Sequence, residues 1–113
     1  MPSIFQVLDA IRERPGMYLS WSDSERAEQL RDLRKLLDGY AMAVHVHQLE
    51  EPVENFPRAF GDYLFKKFGW SGARGPIQAI RDHAASDEDA WTQFWKLVSA
   101  FKADLDDGSI TSE

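Results

Sequence analysis

SDEDAWTQFWKLVSAFKADLDDG, residues 86–108, decides the fold class. Ser86 with Asp89 forms a helix-capping signature, and Asp87 and Glu88 suit the positive end of a helix dipole. Trp91, Phe94, Trp95, Val98, Phe101 and Leu105 then recur at helical spacing, which places them on one apolar side. Asp106, Asp107 and Gly108 end the helix, and the tail from about residue 108, GSITSE, is expected to fray. So many large aromatics on one side demand other elements to cover them.

Outward from this segment the spacing stays helical, and no stretch alternates with period two. Gly72, Gly75 and Pro76 predict a turn, followed by a short helix in PIQAIRDHA with Ile77 and Ile80 inward. Asn55 is a cap candidate for a helix carrying Phe60, Leu64 and Phe68 at steps of four, with Gly69 as its stop. Ser22 and Glu25 form another capping signature. Behind it Leu30, Leu33, Leu37, Tyr40, Ala41 and Val44 form a stripe expected to run to about Leu49. Ser3 and Gln6 cap a first helix with Ile4, Val7, Leu8 and Ile11 on one side, ending near Arg14 because Pro15 disfavours helical geometry before it. The reading is an all-α single domain over 1–113, a compact bundle of about five helices with an aromatic-rich core.

The 113 residues fit one domain of the usual 100–150 or so. With no cysteine there is no disulfide framework, thiolate metal site or cysteine nucleophile. No apolar run approaches the roughly 20 residues a membrane span needs, and the N-terminus lacks a secretory pattern. The expectation is a soluble, cytoplasmic protein without a membrane partner. The formal net charge of −6 is unevenly spread. Residues 36–56 hold Asp38, Glu50, Glu51 and Glu54 with no Lys or Arg, and the stretch from residue 82 is acidic too. Between them Arg58, Lys66, Lys67, Arg74 and Arg81 make a modest basic island. Nucleic-acid binding needs a concentrated basic face, so nucleic acid is disfavoured and a basic protein partner is easier to accommodate.

Catalytic patterns are missing. His45 and His47 stand two apart on a predicted helix and point to different faces, and His83 is alone, so no metal site is expected. No serine sits in a Gly-x-Ser-x-Gly turn, and no phosphate-cradling loop occurs. The expectation is a protein that is not an enzyme and needs no cofactor. Trp21 and Trp70 fall in predicted turns, where each either caps the core or stands at an interaction surface. Gly39 sits inside a predicted helix at a cost of roughly 1 kcal/mol, which predicts close approach of another helix at Gly39–Tyr40.

FQVLDAIRERPGMYLS, residues 5–20, is the most distinctive stretch. It resembles the Arg-x-Arg-Pro-Gly-Met-Tyr-Ile-Gly start of gyrase B-type ATPase domains. Those domains continue with a catalytic Glu, a magnesium-binding Asn and an Asp-x-Gly-x-Gly loop. Here LRDLRKLLDGYAMAV follows, the sole asparagine is Asn55, and that loop is absent. An ATPase is rejected.

The same stretch is similar to small all-helical bacterial proteins encoded beside polymorphic toxins and taken to be immunity proteins. Arg14, Pro15, Gly16, Met17, Tyr18 and Leu19 match their motif, and Gly39–Tyr40 with Ala43 matches a Gly-Tyr-x-x-Ala helix. A Phe-rich segment (56–68), Trp70 and an aromatic helix (91–101) follow in order, and Ser20 departs from a more usual Gly. The motif is read as structural, with Met17, Tyr18 and Leu19 folding back to plug the bundle. The resemblance implies a non-enzymatic inhibitor that binds a cognate toxin and occludes its active site. Asp38, Glu50, Glu51 and Glu54, joined by Asp87, Glu88 and Asp89, are the expected partner surface. Reversing Glu50, Glu51 and Glu54 to lysine is expected to weaken the complex and spare the fold. The alternative is a regulatory or adaptor module with a partner that is not a toxin.

Overall fold

In a computed structural model the chain is all-α, and the structure describes residues 3–19, 25–51, 53 and 55–108. The described residues form six helices and no strand: α1 (Ile4–Glu13), α2 (Pro15–Tyr18), α3 (Arg26–His47), α4 (Phe56–Phe68), α5 (Pro76–His83) and α6 (Asp87–Asp107). Four of the starts have a local cause. Ser3 accepts from the Gln6 backbone while the Gln6 side chain accepts from the Ser3 backbone, a complete capping box on α1. Asn55 caps α4 through the Arg58 N–H, and Ser86 caps α6 through the Asp89 N–H. Pro76 opens α5 at a position where its missing N–H costs nothing. Gly69 and Gly108 close α4 and α6 in left-handed geometry, as their positions predict.

The core is the aromatic one expected. Phe94 and Phe101 of α6 meet Phe60 of α4, which is fully buried, at centroid distances of 5.8 and 5.5 Å. Phe5 of α1 stands edge-on to Phe56 at 5.8 Å, so three helices share one ring cluster in favourable edge-to-face and tilted contacts. Leu30, Leu33 and Leu37 of α3 close another side. The radius of gyration is 13.5 Å, matching the roughly 13 Å of a compact chain this long.

Several local expectations are corrected. A sixth element exists because Pro15, after ending α1, is itself well placed at the first position of the one-turn helix α2. Only Leu19 of the Met17–Tyr18–Leu19 plug packs against the core; Met17 and Tyr18 are exposed, because α2 continues the chain along the surface. Nothing stands within 4 Å of a side chain built at Gly39, so no helix of the bundle approaches there. Helix α3 stops at His47, where Gln48 turns left-handed (φ 52°), before the expected Leu49. It starts at Arg26 after Glu25; Ser22, like Ser20, Trp21 and the tail 109–113, lies outside the described residues. Phe68 is half-exposed, beyond the reach of the core, and stacks on Trp70 at 4.6 Å. Trp70 in turn packs against the core edge and stacks on His83.

Candidate functional site

Most of the acidic residues expected to face a partner are engaged within the molecule. Glu51 accepts from the Ile4 backbone N–H at 2.7 Å and from the Tyr40 hydroxyl at 2.6 Å, so it ties α1 to α3. Burial and this carboxylate push the Tyr40 hydroxyl up to about 12. Glu51 is therefore a structural anchor, and a charge reversal that includes it would not spare the fold. Asp87 accepts from Arg81 at 3.0 Å and Glu88 from Arg26 at 3.2 Å. That Arg26 guanidinium also lies 4.4 Å over the Trp91 ring, joining the start of α3 to α6. Asp89 accepts from Ala85 N–H and Gln93 at the start of its own helix. Two of the acids differ from these. Glu50 is exposed, and Asp38 makes only a long 3.9 Å contact with Arg34 one turn away. Glu54 lies outside the described residues. The six described acids thus do not gather into one face: Glu88 lies against the start of α3, through Arg26, and Glu50 follows its end.

Asp38 instead borders a groove of about 510 Å³ between α3 and α4. The glycine turn before α5 walls its far end, where Gly75 holds φ 89°, a left-handed conformation costly to other residues. Leu37 and Ile77, both buried, form the apolar floor. Arg34 and Asp38 stand on the α3 side, Arg58 and Asp62 on the α4 side. The side chains of Arg58 and Asp62 are exposed and make no ion pair among the described residues. Phe65 stands at the rim with 60% of its surface in solvent. An apolar floor, an exposed aromatic and unengaged charges of both signs are features of protein-binding surfaces.

Among the described residues the lining contains no serine, threonine, histidine or lysine, and its ionisable groups are the carboxylates of Asp38 and Asp62 and the guanidinium groups of Arg34 and Arg58. His45 and His47 are exposed on α3, and His83 sits 2.9 Å through Nδ1 from the Ala79 carbonyl. Among the described residues no group of three His, Cys, Asp or Glu side chains could hold a metal. None of the described helices is long and apolar enough to cross a membrane.

Sequence reasoning reached Asp38 but missed Arg58, Asp62 and Phe65. A signal for Phe65 was present: it follows Leu64 by one residue, about 100° around the helix from the buried Phe60–Leu64 line. A large apolar residue there has no core to enter. No protein-family model, curated protein or solved structure matches the chain.

Proposed function

We propose that this protein is a non-enzymatic immunity protein that neutralises a cognate bacterial toxin in the cytoplasm by binding it and occluding its active site. The observation that carries the binding part is the α3–α4 groove, with Phe65 exposed beside unengaged Arg58 and Asp62. The toxin part rests on the similarity of residues 14–19 and 39–43 to immunity-type proteins. A net charge of −6 favours encounter with a basic toxin domain, such as a nuclease, and the speed of that encounter falls with salt.

In this reading Phe65 is the anchor that enters the toxin, and Asp62 and Asp38 meet basic groups at its rim. Co-expression with the toxin encoded beside the gene is expected to restore growth. Phe65→Ala and Asp62→Lys are exposed changes that leave the helical circular dichroism intact, and each is expected to weaken the complex roughly tenfold or more. Failure of the wild type to protect rejects the toxin reading and leaves an adaptor with another partner. Full protection and unchanged affinity in both variants would reject the groove.

A further inference from the structure

The sequence places an acid three residues before an aromatic only twice, Asp62–Phe65 on α4 and Glu88–Trp91 on α6. Residues three apart are neighbours on a helix surface, so each pair sets a carboxylate beside a ring. The α6 pair is filled within the fold. Arg26 of α3 lays its guanidinium 4.4 Å over the Trp91 ring and donates to Glu88 at 3.2 Å. The flat face of a guanidinium stacks while its edge donates, so one group serves both neighbours. The α4 pair is open. Asp62 and Phe65 both line the α3–α4 groove, and 60% of Phe65 is in solvent. Among the described residues, neither Arg58, one turn before Asp62, nor Lys66, one turn after, forms an ion pair with it.

We propose that Asp62 and Phe65 receive an arginine side chain of the bound partner, held as the fold holds Arg26, with its guanidinium stacked on Phe65 and paired with Asp62. This names the chemistry of the groove proposed above and rests on that groove as the binding face. A lysine ammonium would pair with the carboxylate but has no flat face to lay on the ring. An apolar occupant would bury the Asp62 carboxylate without a partner, whereas a guanidinium gives it one. Leu37 and Ile77, on the floor, offer apolar contact for the methylene stem of the incoming side chain. The groove's own arginines do not fill the site. Arg58 lies on the side of Asp62 away from Phe65 along α4, and Arg34 on the α3 wall is directed to Asp38 at 3.9 Å.

Nα-acetyl-arginine amide is the probe, titrated into the full chain to about 100 mM while NMR follows the aromatic and backbone amide resonances. Saturable shifts are expected at the Phe65 ring and the Asp62 amide, and none at Trp91, whose site Arg26 already fills. Nα-acetyl-lysine amide at equal ionic strength should bind about two- to fivefold more weakly, the fold-change of an exposed cation–π contact. Asp62→Asn and Phe65→Leu should each weaken binding of the arginine probe about two- to fivefold. Circular dichroism checks that these exposed substitutions leave the fold intact. A lysine probe that binds as tightly, or arginine binding that neither substitution weakens, would overturn the proposal. Absence of arginine binding would overturn it as well; where Phe65→Ala still weakens the toxin complex, the groove survives without its arginine site. Arginine binding at Asp62 and Phe65 in a protein that fails to protect against the toxin would support the site and reject the toxin reading alone.

Discussion

At the scale of single residues, the most informative positions are those where a side chain does two jobs or none. Tyr40 and Tyr63 each donate to a carboxylate, Glu51 at 2.6 Å and Asp104 at 2.8 Å, and burial helps lift both hydroxyls from about 10 to about 12. A raised tyrosine pKa means that the unfolded chain loses these protons first as pH rises. The stability they contribute is complete below pH 10 or so and is lost as pH climbs through about 12. Urea unfolding at stepped alkaline pH should show this decline, and Tyr40→Phe with Tyr63→Phe should flatten it. Gly39 is the residue without a job inside the bundle. Since a methyl there meets open space, Gly39→Ala should raise unfolding free energy by about 1 kcal/mol. Denaturant midpoints of the two proteins test it.

At the scale of elements, helix ends account for most of the local architecture. Ser3, Asn55 and Ser86 start three helices through side-chain caps, and Gly69 and Gly108 end two. The exception is the end of α3, where Gln48 adopts φ 52° with a side chain that this conformation disfavours. The Leu49 N–H reaches back to the Val44 carbonyl at 3.0 Å, a hydrogen bond that holds the turn in place. Gln48→Gly should therefore stabilise the protein by roughly 0.5–1 kcal/mol, because the native geometry no longer carries the cost of a Cβ. A thermal melt that falls after this change would contradict the assignment of strain to Gln48.

For the whole molecule, the aromatic cluster is the common element of α1, α4 and α6. Phe60 contacts Phe56, Tyr63, Phe94 and Phe101, and Phe101 contacts Phe5, Phe56, Phe60 and Tyr63. Phe60→Ala removes a fully buried ring from the point where these helices meet, at a cost of about 3–5 kcal/mol. Domains of this size are stable by only about 5–15 kcal/mol, so circular dichroism should find the variant largely unfolded or melting far below the wild type. The proposed binding groove lies on one side of α3, bordered by Arg34 and Asp38, while Met42 and Val46 are exposed elsewhere on the same helix.

Helices α1, α3, α4, α5 and α6, the caps at Ser3, Asn55 and Ser86 and the inward-facing aromatics are legible in the sequence alone, because these depend on neighbours three or four residues apart. The sequence also carries the sign of Phe65, which falls off the buried line of α4. Which charges are spent inside the fold depends on long-range packing. Glu51 and Glu50 are adjacent and chemically alike, yet one anchors the Ile4 N–H and the Tyr40 hydroxyl while the other meets solvent. Ile4 is 47 positions from Glu51, and Arg26 is 62 from Glu88, so no local pattern announces either partnership. An ion pair or a groove forms when packing brings distant elements together, and that packing is a property of the whole chain.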